Sequence, residues 1–160
     1  MTIPCPAHCP PLGVAFKKKA FDLIGLYPDT GYGAEENYLA LRLFLNNKKL
    51  IFLPEVMIHH QPSQIRDHEV LLMNKTKNDI IWAWSFAPMI LFFPLFVWKS
   101  FSWLRLGAHL GYVNSVFRGL LNAISEISKQ NMLKRETVSA SKYLNFIMLR
   151  RKDLAKDSLQ

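Results

Sequence analysis

Between Ile80 and Trp98 the chain runs through 19 residues without a charge, IIWAWSFAPMILFFPLFVW. A stretch of this kind must be covered, either by the rest of the protein or by lipid. At about 1.5 Å per residue it would reach roughly 28 Å as one helix, close to the thickness of a hydrocarbon core. Trp82, Trp84, Trp98 and Trp103 gather towards its ends, as interface anchors do, and Lys99 and Arg105 follow. Against one continuous span stand Pro88 and Pro94, which remove backbone donors that lipid cannot replace. Three arrangements stay open: a span, a pair of short helices at the headgroup level, or a buried soluble core.

The composition narrows the partners. The 160 residues carry 20 Lys and Arg against 12 Asp and Glu, a formal charge of +8 with a pI near 9.6. That excess favours anionic partners, such as a membrane surface or a nucleotide diphosphate. No nucleic acid is expected, because no recognition motif accompanies the charge and the basic residues are scattered. Cys5 and Cys9 with His8 between them do not complete a four-ligand zinc site, so a Pro-rich entry segment with two free thiols is the expectation. The amino terminus lacks the pattern of a secretory signal, and no internal repeat is visible.

Periodicity predicts a short helix over 17–24 that stops at Gly25, then a turn-rich loop over 27–33. A second helix is expected from Glu35 to Asn46, with Leu39, Leu43 and Phe44 as a stripe that would seat on a sheet. Leu50 to Leu53 reads as a strand, punctuated by Pro54 and resuming over Val56 to His59. Helices are expected over 65–84, with Val70, Met73 and Lys77 in register, and over 108–128, where Val113, Phe117, Leu120, Leu121, Ile124 and Ile127 form an amphipathic pattern. A further amphipathic patch, Tyr143 to Leu149, ends in Arg150-Arg151-Lys152.

Within 31–63 a paired acid, Glu35-Glu36, opens a helix, and a paired histidine, His59-His60, closes a strand-like segment. Carboxylates at a helix start and imidazoles at a strand end suit a site that handles a proton or a metal ion. The plainer alternatives are acids that favour the first helical turn and two histidines at a solvated strand end. Arg42 is a candidate to pair with Glu35 or Asp29.

The order Gly13, Lys17-Lys18-Lys19, Ala20-Phe21, Gly25, Tyr27-Pro28-Asp29, Glu35-Glu36-Asn37-Tyr38-Leu39, Arg42, Pro54-Glu55, His60 and Ser63 resembles the carboxyl-terminal half of family 2 glycosyltransferases, enzymes of GT-A fold. The resemblance covers residues 12–84. It implies an α/β fold, a partial Rossmann-like GT-A half with a short sheet, followed by a mainly helical, membrane-associating tail. It implies transfer of a sugar, inverting at the anomeric carbon, from a nucleotide-sugar donor to a glycan or lipid-linked acceptor, as in cell-surface polysaccharide synthesis. Glu36 would be the base with Glu35 beside it, His60 a ligand to Mg or Mn, and Ser63 and Arg66 contacts to the diphosphate. The D-x-D that holds the cation in that family is missing, so a fragment is expected, inactive without a separate amino-terminal half as partner.

The expected division is an entry segment (1–12), the glycosyltransferase part (13–79), an apolar membrane-associating segment (80–106), and an amphipathic helix with a basic tail (107–160). The expected location is the cytoplasmic face of the cell membrane, peripheral or with a single span. Arg118, Lys129, Lys134, Arg135 and Arg150-Arg151-Lys152 are candidates to bind anionic lipid. The rival function is a non-enzymatic small membrane-anchored protein whose basic tail binds lipids or a partner.

Overall fold

Proline has no N–H and pushes the residue before it into extended backbone, and at position 88 this splits the apolar run in two. Ala87 takes φ −72° and ψ 136°, ending one helix at Phe86, and Pro88 caps the start of the next. The computed structural model describes residues 4–5, 15–27, 35–48, 50–51, 67–129 and 135–157. Among them are six helices: α1 (Lys18–Ile24), α2 (Glu35–Leu45), α3 (His68–Phe86), α4 (Met89–Leu110), α5 (Val113–Ser128) and α6 (Ala140–Asp157).

The extended structure among the described residues is a two-residue bridge. β1 (Pro4–Cys5) meets β2 (Leu50–Ile51) antiparallel, with Pro4 opposite Ile51 and Cys5 opposite Leu50. Such a bridge is too short to seat helices. The expected α/β fold, a Rossmann-like GT-A half on a short sheet, is therefore overturned, because the described chain is helical. Of the strand expected over 50–53, the described residues hold Leu50–Ile51. The expected strand over 56–59 lies outside the described residues.

The chain divides into two packed units. One holds the β1–β2 bridge, α1, α2 and α6. There Ile24 of α1 packs with Leu39 and Leu43 of α2, joined by Phe16 and Phe21. The stripe expected to seat on a sheet thus seats on a helix. Arg42 donates to the carbonyls of Ile24 at 3.1 Å and Leu26 at 3.3 Å, closing the carboxyl end of α1 around Gly25. Phe44 lies 5.5 Å from Phe146 of α6, and Tyr143 and Phe146 are fully buried.

The other unit packs α3, α4 and α5 together. Asp67 starts α3, its Oδ1 accepting from the N–H groups of Glu69 and Val70. The buried face of α3 runs through Leu72, Thr76, Ile80 and Ala83; of the expected Val70, Met73 and Lys77, Val70 is exposed, while Met73 and Lys77 are partly covered and meet α5. Leu72, Ile80 and Ile81 form one core with Val116, Leu120 and Ala123 of α5. The helices come close at Gly119, where a Cβ would lie 2.5 Å from the Met73 carbonyl oxygen, so any side chain there forces them apart. Gly111, at φ 79°, closes α4 in the left-handed conformation, and Tyr112 N–H reaches back to the Gly107 carbonyl at 2.7 Å. That turn separates two helices where the periodicity suggested one from 108 to 128.

The proline break leaves carbonyls at the end of α3 without helical donors. The Trp84 carbonyl would bond to the N–H of residue 88, which proline lacks. Arg135 supplies it instead: Nε donates to Trp84 O at 2.8 Å and Nη2 to Ala87 O at 2.7 Å. Its guanidinium also lies 4.2 Å from the centre of the Trp84 ring, and Val138 N–H donates to Phe86 O at 3.0 Å. The strap 135–138 thereby completes α3. Arg135→Ala should destabilise the protein by about 1.5–3 kcal/mol, the range for hydrogen bonds from a charged donor. Arg135→Lys, with one compact donor group, should recover only part of this. Urea unfolding followed by circular dichroism measures both.

Candidate membrane-associating surface

Helix α4 is apolar apart from Lys99, Arg105 and a few polar residues, and only 6% of its most hydrophobic window is buried. At about 100° per residue its two sides can be assigned from their contacts. Phe92, Lys99 and Trp103 face α3: Phe92 meets Trp84 edge-on at 4.9 Å, and the other two bond to Asp79. Gly107 meets Val116 of α5. The other side carries Ile90, Phe93, Val97 and Phe101, which are 61–79% exposed, with Trp98 beside them.

Helix α5 repeats the arrangement. Gly119, Asn122 and Glu126 face α3, touching Met73 and Lys77. Val113, Phe117, Leu121 and Ile124 lie on the opposite side, about half exposed. On both helices the uncovered stripe points away from α3, and the two helices pack against each other. They form a layer over α3 with a shared apolar outer face, rimmed by the exposed Arg105, Arg118 and Lys129. A continuous apolar surface rimmed by cations is the chemistry of a lipid interface.

Behind this face lies a polar bridge between α3 and α4. Lys99 Nζ is 2.6 Å from Asp79 Oδ1, Trp103 Nε1 donates to Asp79 Oδ2 at 3.0 Å, and Lys99 stands 5.9 Å from the Trp82 ring centre. The paired side chains are only 12% and 23% exposed, Lys99 the more covered. Lys77 and Glu126, 3.1 Å apart, tie α3 to α5 in the same way nearer solvent. Asp79 and Lys99 flank the uncharged run on its two sides, and folding that run at Pro88 brings them together. Opposite charges 9 residues before and 11 residues after Pro88 were the available signal for this bridge, one that helical periodicity does not carry.

The sequence-derived site residues stand as follows. Glu35 and Glu36 occupy the first turn of α2, half-buried, with Arg42 in the last turn of the same helix. His60, Ser63 and Arg66, the expected metal ligand and phosphate contacts, lie outside the described residues, as does His59. Among the described residues no three His, Cys, Asp or Glu side chains gather as a metal site would require. Of the basic residues expected at lipid, Arg118 and Lys129 are exposed, whereas Arg135 is engaged with α3.

No protein-family model matches the chain, and neither a curated protein nor a solved structure does. With no family match, and no sheet beyond the β1–β2 bridge among the described residues, the resemblance to family 2 glycosyltransferases is overturned, and the GT-A assignment goes with it. Each quoted element was short, and acids at a helix start or a Gly after a helix recur in helical proteins for local reasons.

The Asp79–Lys99 bridge yields a test of the hairpin. Asp79→Leu leaves Lys99 covered without its counter-charge and should cost on the order of 1–3 kcal/mol. Adding Lys99→Leu should restore part of that loss, because the lone cation is removed. A double-mutant cycle in urea reads the coupling; strictly additive losses would mean that the two groups do not depend on each other.

Proposed function

We propose that this protein is a membrane-associated anchor whose α4–α5 layer lies in the boundary between headgroups and acyl chains on the cytoplasmic side, and whose role is attachment rather than catalysis. The observation that carries the reading is the shared apolar face of α4 and α5, turned away from α3 and uncovered. Burying one such phenylalanine is worth about 1.5–3 kcal/mol, so the stripe as a whole amounts to a substantial partition energy. The net charge of +8 supports attraction to an anionic leaflet, at about 1 kcal/mol per basic residue near the surface.

One helix, Met89–Leu110, is long and apolar enough to cross a membrane. Its 22 residues reach about 33 Å, which makes a single span the second reading. Two features favour the interfacial mode. Lys99 sits at the middle of α4 and is held by Asp79, so a crossing α4 would draw α3 with its Lys75, Lys77 and Asn78 into hydrocarbon. Pro94 deprives the Ile90 carbonyl of its helical donor, and water at headgroup depth can satisfy that carbonyl where lipid tails cannot.

The test is binding of the full chain to neutral phosphatidylcholine vesicles, read by sedimentation and by the emission of exposed Trp98. A blue shift on binding is expected. Phe93→Ser with Phe101→Ser should weaken partitioning about a hundredfold, at roughly 1.4 kcal/mol per tenfold. Lipids brominated near the glycerol should quench Trp98 more strongly than those brominated near the chain ends; the reverse order would favour the span. Unchanged binding by the double variant would remove the outer face from consideration.

A further inference from the structure

Three consecutive exposed lysines, Lys17, Lys18 and Lys19, begin α1, in the unit that the α4–α5 face does not include. Ile24 and Phe21 of this helix turn inward to Leu39 and Leu43. The outer side is left with Lys18, Lys19, Asp22 and Leu23, all exposed. Past the helix end Leu26 is 75% exposed, and Leu23 and Tyr27 are about half exposed. Among the described residues no carboxylate pairs with any of the three lysines, and Asp22 is the acid on that side.

A ligand for this patch must use both of its components. A nucleic acid would meet the cations and leave Leu23 and Leu26 in water. A leaflet carrying anionic lipid meets both, with phosphates at the ammonium groups and the leucines below the headgroups. We propose that Lys17, Lys18 and Lys19 with Leu23 and Leu26 form a contact for anionic lipid headgroups, distinct from the α4–α5 face. It rests on the reading of the protein as membrane-bound and adds lipid selectivity to it. Each lysine near a charged surface contributes about fivefold in affinity, and the effect fades as salt shortens the Debye length.

The experiment compares the full chain on pure phosphatidylcholine vesicles and on vesicles containing about one-third phosphatidylglycerol, at low and high salt. The parent should bind the anionic vesicles at least about tenfold more tightly at low salt. Lys17→Gln, Lys18→Gln and Lys19→Gln together should abolish most of that preference and leave binding to the neutral vesicles unchanged. A control of equal charge, Lys48→Gln, Lys75→Gln and Lys142→Gln, should retain more of it. Leu23→Ser with Leu26→Ser should weaken binding to the anionic vesicles with the lysines intact. Equal losses in the two lysine triples, or none in the first, would overturn the site, as would a leucine variant that binds like the parent. Failure of neutral-vesicle binding alone would count against the α4–α5 face and leave this contact standing.

Discussion

The missing N–H of Pro88 is the constraint on which the α3–α5 unit depends. A helix running unbroken through 80–98 would hold Asp79 and Lys99 nearly 30 Å apart, at about 1.5 Å per residue. The break turns the chain back on itself, and residues at similar distances on its two sides become neighbours. Trp84 and Phe92 meet edge-on at 4.9 Å, and Asp79 and Lys99 meet at 2.6 Å. The apolar run therefore supplies both sides of a helix–helix contact rather than one long surface. The break also has a cost in unpaired carbonyls, which Arg135 and the N–H of Val138 offset from a segment 48 to 52 residues further along.

Doubling the run back also sorts its surface. A helix that is apolar all round has more hydrophobic circumference than one neighbour can cover. Helix α3 takes one side of α4 and part of α5, and the cation of Lys99 is confined to that inner side by its carboxylate partner. What remains on α4 is uncharged from Ile90 to Phe101, and α5 extends it with Val113, Phe117, Leu121 and Ile124. The pairing of Lys99 thus does more than join two helices: it keeps a charge off the face that would have to leave water.

The helical segments were largely legible, because 3.6-residue periodicity and end signals are local. Gly25 stops α1, the acids open α2, and the apolar pattern of 113–127 is one side of α5. The strand expected from Leu50 is present at Leu50–Ile51, but what it pairs with is a distant contact, and among the described residues only Pro4–Cys5 joins it. The packed side of α3 was only partly read, because Val70 is apolar yet exposed, while Thr76 and Asn78 are buried. A polar residue can take a core position when its hydroxyl bonds within the helix, as Thr76 Oγ1 does to the Leu72 carbonyl at 2.8 Å. The Asp79–Lys99–Trp103 bridge and the Arg135 strap are contacts between distant positions, which no local window contains.

The width of the apolar arc on α5 bears on what the outer face meets. Val116, Leu120, Ala123 and Ile127 suffice to pack on α3 and α4, and the core holds them. Val113, Phe117, Leu121 and Ile124 stand outside that core, about half exposed on the side away from α3. Folding alone does not require large apolar residues there; Ser or Lys at the same positions would leave the core intact and keep the surface soluble. Scattered exposed leucines need no explanation, but two parallel stripes on adjacent helices, each following the helical repeat, are an ordered surface. Large apolar residues arranged in the pattern of an amphipathic layer are what the proposed membrane contact rests on.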